Sequence, residues 1–302
     1  ATGDFEWENK LIDGYWTYST EEIWSGIQGA FVALINDTRE KYNVELKTAG
    51  CIGISAMMHG YMPFDSEEQL LVPFRTWRNA NAHQAAEILS DKFQFNVPDR
   101  WSIAHLYQAV IDHEEHVPEI RSINTLEGYV HEKLGGNRVV GIGEGSGILP
   151  IDTELLDYNP QYVQIFEDII KNEYPEYENL YDLRAVLPVI KLAGDDAGML
   201  SEEGAKLLDP SGQFQPGVPL CPPEGDAETG MIAANAITPR TGNVSLGTSA
   251  MAMIVLERPF NKLHREIDMV ATPVGNYVAM VHGSNCSSDI NYWVNMLAEY
   301  SE

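Results

Sequence analysis

Apolar and polar positions alternate with two periods along this chain. Ser19-Thr20-Glu21-Glu22 reads as a capping box, and Ile23, Ile27, Phe31 and Ile35 follow near helical spacing. An amphipathic helix is predicted there. Residues 48–56 form a β-like run that leads into Met57-Met58-His59-Gly60. Helices are predicted over 81–96, 103–117, 125–134 and 161–173, and a buried, alanine-dense helix over 227–237. A loop rich in Gly and Pro spans about 209–225. From Asn243 the period shifts to two, in short runs over 243–256, 267–272 and 276–282 with a turn at Pro273-Val274-Gly275-Asn276. A last helix is expected to begin near Ser288. The pattern predicts an α/β unit over 1–242 and the opening of a second unit over 243–302.

Composition narrows the function. Hydrophobic residues make up 44% of 302 residues, which is a globular composition. Lys plus Arg is 19 against 45 Asp plus Glu, a formal charge of −26. Neither a nucleic-acid backbone nor an anionic membrane surface suits such a balance. A small ligand does, and an anionic one must be held by local dipoles and a few cations. The three cysteines, Cys51, Cys221 and Cys286, suggest no disulfide framework, and a reducing cytoplasm is the simplest compartment.

Several apparent motifs fail on spacing. Gly141-Ile142-Gly143-Glu144-Gly145-Ser146-Gly147 lacks the third glycine of a dinucleotide loop, and a helix is expected before it with an apolar run after it. Gly-Lys never occurs, so there is no P-loop. His113-Glu114-Glu115-His116 sets its histidines one residue too close for a zincin, and a solvated acidic helix face is the plainer reading.

Three segments retain chemistry. The run ending at Met58-His59-Gly60 puts an imidazole at the carboxyl end of a strand, where α/β sheets bind ligands; a packed core histidine is the plain alternative. Asp226, in Glu224-Gly225-Asp226, opens a helix; it suits an N-cap, a general base, or both. Gly247-Thr248-Ser249 offers backbone N–H groups and two hydroxyls that can cradle phosphate without lysine, or can form an ordinary hairpin turn.

In this order the segments resemble the FGGY family of carbohydrate kinases. Met58-His59-Gly60 is similar to the family's sugar-site Met-His-Gly. Residues 103–152, with Ser146-Gly147-Ile148-Leu149 and Asp152, resemble its middle stretch. Leu187-Pro188 through Leu200-Ser201-Glu202-Glu203-Gly204-Ala205 is similar to its Leu-Pro stretch and following helix. Gly225-Asp226 matches the Gly-Asp whose Asp is the family's base, and Gly247-Thr248-Ser249 matches its phosphate loop.

The resemblance implies a two-domain actin-like ATPase, ribonuclease-H-like fold. It implies transfer of the ATP γ-phosphoryl group, with Mg²⁺, to a sugar hydroxyl, a pentulose such as xylulose first. Asp226 would be the base; Met58, His59, Gly60, Trp77, Arg78 and Asn79 would bind the sugar; Gly247, Thr248 and Ser249 would hold the ATP phosphates. A homodimer is a candidate assembly. The family's N-terminal Asp-x-Gly-Thr hairpin and most of its C-terminal domain are not in the sequence, so an internal fragment, inactive by itself, is expected. The family's Trp-Asn-Asp-x-Arg is Trp77-Arg78-Asn79-Ala80-Asn81 here, and the Asn after the base is Ala227. Those departures support the alternative, a non-catalytic sugar-binding or regulatory protein on the same fold. A phosphatase or ATPase on a related fold would instead hydrolyse ATP without stimulation by sugar.

Overall fold

A computed structural model describes residues 1–8, 10–135, 137–246, 250–283 and 286–301. β1 (Lys10–Ile12) and β2 (Tyr15–Thr17) form a hairpin that turns at Asp13-Gly14, both at positive φ (49° and 85°). α1 (Thr20–Tyr42) begins with the expected reciprocal capping box. The Glu22 N–H donates to Ser19 Oγ at 3.1 Å, and the Ser19 N–H donates to the Glu22 carboxylate at 3.0 Å.

β3 (Ser55–Ala56) is much shorter than the run over 48–56 predicts, and Ile52 adds only an isolated bridge to Leu220. Gly50 and Gly53 bring no side chains to a ladder there. β4 (Met62–Phe64), α2 (His83–Phe93), α3 (Ser102–Ile111), β5 (Ser122–Asn124) and α4 (Leu126–Gly135) follow. α3 stops at Ile111, six residues before the expected end, and His113 beyond it sits at φ 50°. The His113–His116 segment is not a solvated helix face. His116 is buried with Nε2 2.8 Å from the Tyr61 hydroxyl, and Glu114 pairs with buried Arg75.

The middle of the chain holds β6 (Val139–Gly141), α5 (Ile142–Ile148), β7 (Ile151–Asp152), β8 (Asp157–Tyr158), α6 (Pro160–Glu173), α7 (Leu183–Val186) and β9 (Val189–Lys191). The glycine-rich segment is therefore a strand entering a helix, not a loop between a helix and an apolar run. α8 (Glu202–Leu208), β10 (Glu224–Gly225) and α9 (Asp226–Ala233) complete this part, and α9 is shorter and more exposed than the predicted buried helix. β3 pairs in parallel with β10, and β6 with β9.

The predicted hairpins are β11 (Gly242–Leu246), β12 (Ala250–Val255), β13 (Asp268–Ala271) and β14 (Tyr277–Gly283). They form one antiparallel sheet of order β11-β12-β14-β13, followed by α10 (Ser287–Ser301). Met253, Val255, Val270 and Val278 join the same core as Trp101, Tyr107 and Phe166. The Ala271 N–H also donates to Ser146 Oγ at 2.9 Å, so β13 is fastened to α5. β13 is buried along its length, β11 is mostly exposed, and Tyr292, Trp293 and Leu297 of α10 face solvent. No described helix is long and apolar enough to cross a membrane.

One glycine carries a sharp constraint. Gly60 sits at φ +120°, and a Cβ there would lie 2.7 Å from the Phe74 ring. Gly60→Ala combines strain and overpacking, and is expected to cost about 2 kcal/mol or more, read as a lower denaturant midpoint.

Candidate functional site

Two parallel strands bring the site together. Glu224 pairs with Ser55 and Gly225 with Ala56, so β3 and β10 end side by side. Beyond β3 come Met57, Met58 and His59; beyond β10 comes Asp226. Both exits open on a cavity of about 410 Å³. Tyr18, Trp77, Arg78, Arg100, Asp226 and Ala227 line one side, while Ser245, Met251, Met280 and His282 of the C-terminal sheet line the other.

Gly225 is the N-cap of α9, and Asp226 is its first helical residue rather than the cap. The Asp226 side chain is exposed to the cavity, and its Oδ1 accepts from the Met58 N–H at 3.4 Å. It is the sole carboxylate among the described lining residues.

His59 is 3% exposed and sits at φ 70°. Its N–H donates to Glu144 Oε1 at 2.9 Å, its Nδ1 lies 3.3 Å from the Gly147 carbonyl, and its ring stacks on Trp101. Burial, with Arg100 nearby, holds the imidazole well below its usual range, so it is a neutral donor or acceptor. His59 is therefore a packed histidine that also lines the cavity. Gly147 makes room for it, because a Cβ there would lie 2.4 Å from Nδ1.

Trp77 meets the His282 ring edge-on at 6.4 Å, and the Arg78 guanidinium lies over the Trp16 ring at 4.5 Å. Asn79 is not among the lining residues. Its Oδ1 accepts from the Trp16 N–H at 2.9 Å, and its Nδ2 donates to the Trp16 carbonyl at 2.9 Å and the Thr76 carbonyl at 3.0 Å. That makes Asn79 a pin for the middle of β2 at Trp16. Gly60 is likewise outside the lining and shapes the bend that carries His59; its carbonyl accepts from Ser102 Oγ at 2.6 Å. Gly247, Thr248 and Ser249 lie outside the described residues.

Sequence reasoning passed over Arg100, Tyr18 and His282. Arg100 forms an ion pair with Asp268, and Asn96 Nδ2 donates to the same carboxylate at 2.8 Å. This contact joins the cavity wall to β13.

Four buried carboxyls were also missed: Glu127 of α4, Glu144 of α5, Glu224 of β10 and Glu228 of α9. Glu224 accepts from the Gly143 N–H at 3.3 Å and the Glu144 N–H at 2.8 Å. Glu127 accepts from Thr125 Oγ1 and faces Glu144. Burial pushes Glu224 up to about 8 and Glu127 up to about 7. Glu144 and Glu228 are also driven well above the carboxylate range, by burial first and by neighbouring carboxylates next. Glycines give this cluster its space, for a Cβ on Gly141 would strike Glu224 at 2.1 Å and one on Gly225 would lie 2.5 Å from Glu228. Among the described residues, no group of three His, Cys, Asp or Glu side chains fits a metal ion.

The cavity thus offers one carboxylate, aromatic faces, two imidazoles and two guanidiniums, a set suited to a polyhydroxylated ligand.

Comparisons with known proteins bear on the fold and the family. No curated protein matches the chain. Among solved structures, a xylulose kinase from Rhodospirillum rubrum superposes with a TM-score of 0.74 at 16% identity, over 96% of this chain and 57% of that one. A gluconate kinase from Lactobacillus acidophilus gives 0.74 at 17%, over 94% and 55%. A Plasmodium falciparum glycerol kinase with ADP gives 0.72 at 16%, over 97% and 57%. The chain spans a little over half the length of these structures and shares their fold, the actin-like ATPase fold. The model of the FGGY family of carbohydrate kinases, N-terminal domain, matches residues 6–208, and that of its C-terminal domain matches 242–301. With two thirds of its length under the N-terminal model alone, the chain belongs to the FGGY family of carbohydrate kinases.

Proposed function

We propose that this chain binds a sugar or polyol and takes part in ATP-dependent phosphorylation of one of its hydroxyls, with Asp226 as general base. The observation that carries the reading is the pairing of β3 with β10, which sets an exposed Asp226 beside the Met58–His59 turn in the cavity. A base must lie within hydrogen-bond reach of the proton it takes, and Asp226 is the lining carboxylate free to do so. The neutral His59 and the Trp77 face orient the sugar. Arg100, tied to Asp268, holds the two walls of the cavity in register.

In-line phosphoryl transfer depends on positioning and charge stabilisation more than on covalent chemistry. Residues 1–242 supply the sugar side and 243–302 begin the nucleotide side. The phosphate-loop role stays with Gly247, Thr248 and Ser249. Mg²⁺, as ATP's usual companion, would supply charge neutralisation on the phosphates.

The test is sugar-stimulated ADP release by the longest natural polypeptide carrying this sequence, supplied with Mg²⁺-ATP and a panel of pentuloses, hexuloses, aldoses and polyols. Stimulation by one sugar is the expected result, xylulose being the first candidate. Sugar binding with no stimulated release would favour a regulatory binder, for which Ala227 and the Trp77–Asn81 departures speak. ATP hydrolysis indifferent to sugar would favour an ATPase.

A further inference from the structure

The proposed transfer leaves one cation of the cavity without a task. Arg78 lies over the Trp16 ring at 4.5 Å and near the Trp77 ring at 5.8 Å, exposed to the cavity. Its neighbours Arg75 and Arg100 are spent on Glu114 and Asp268. Arg78 forms no ion pair among the described residues. An unmatched guanidinium is conspicuous in a chain with 45 acidic and 19 basic residues.

The surrounding segment has also changed charge. Where the family resemblance has Trp-Asn-Asp-x-Arg, this chain has Arg78, Asn79 and Asn81. The acid is gone, and the cation has moved next to Trp77, onto the cavity wall. The segment goes from neutral to a single positive charge. The two lining imidazoles add none, because burial lowers both His59 and His282.

We propose that the ligand of this cavity is a sugar acid, and that Arg78 binds its carboxylate while Asp226 faces a hydroxyl. The inference rests on the kinase reading and narrows it to a polyhydroxy acid. A guanidinium presents two parallel N–H donors in a planar fork that matches a carboxylate, and the two indole rings beside it restrict where it can swing. A neutral sugar offers only hydroxyl oxygens there and leaves the charge matched by water. Hydrogen bonds between charged partners exceed neutral ones by an amount equivalent to about 10- to 100-fold in affinity. Arg78 is then a specificity-determining residue.

The experiment is calorimetric binding of five- and six-carbon aldonates, and of the alditols with the same stereochemistry, to the longest natural polypeptide carrying this sequence. The wild type is expected to prefer one aldonate over its alditol by at least about tenfold. Arg78→Met is expected to collapse that ratio to about one, with the melting temperature unchanged because the side chain is exposed. Equal affinity for acid and alditol would overturn the inference and leave the kinase reading standing. So would an Arg78→Met variant that keeps the acid preference but weakens Mg²⁺-ATP binding, since the guanidinium would then serve a phosphate. If neither acids nor neutral sugars bind, both readings fall together.

Discussion

Asp226→Asn is expected to lower sugar phosphorylation about 10²- to 10⁴-fold, the usual worth of a positioned general base. The fold should survive the change. The Asp226 side chain is exposed, and the hydrogen bond it accepts from the Met58 N–H at 3.4 Å can be made equally by an amide oxygen. Losing a negative charge in the first turn of α9 costs about 0.3–1 kcal/mol. Removing that charge also relieves Glu127 and Glu228, whose ionisation Asp226 opposes, so the two effects partly cancel. The loss should therefore appear in kcat, with KM and the melting temperature nearly constant. A variant with near-normal kcat would remove Asp226 from the base role, and a variant with raised KM alone would make it a binding group.

Raising the pH from mildly acidic to neutral should weaken this protein through its buried acids, and Glu127→Gln should relieve much of the effect. In the unfolded chain Glu127 titrates near the ordinary carboxylate value, about 4.3. In the folded protein burial raises it to about 7. Below the unfolded value both states hold the proton and there is no penalty. Above it the unfolded chain releases a proton that the folded chain keeps, so stability falls by about 1.4 kcal/mol per pH unit for this group. The decline levels off once the folded carboxyl ionises near pH 7, and Glu224 extends a similar decline to about 8. Glutamine at 127 can still accept from Thr125 and can donate to Glu144 without titrating. Denaturant unfolding of wild type and variant from pH 4.5 to 8 reads the difference directly. The gap should open with rising pH and reach about 3 kcal/mol near pH 7. Parallel curves would mean that Glu127 is solvated in solution.

The sequence carried much of this site in residue types and little of it in spatial arrangement. The Ser19–Glu22 capping box was legible because its chemistry is local. Asp226 and His59 could be singled out as reactive types at element ends, but not as neighbours, because their proximity comes from the β3–β10 pairing. That ladder spans only two residues, too short to leave a period. The 141–147 segment misled for a related reason. Its glycines serve close approach to Glu224 and His59 as a strand enters a helix, and nothing in their spacing reveals what they make room for. Asn79 was drawn to the sugar by resemblance, whereas its amide is fully used on the Trp16 backbone and Thr76. Arg100 and His282 escaped because neither sits in a motif; long-range packing alone brings them to the cavity.

The Met58–Asp226 contact joins residues 168 positions apart, which bears on biosynthesis. At about 5–20 residues per second, Asp226 is added roughly ten to thirty seconds after Met58. Throughout that interval the strand ahead of His59 lacks the parallel partner that β10 will provide, and the glycines shaped for Glu224 enclose nothing. Pairing across so long a loop is slow to find even when both strands exist. The geometry of the cavity is therefore a late product of translation. A ribosome stalled anywhere before β10 would display an open strand edge, a form suited to chaperone capture rather than to substrate.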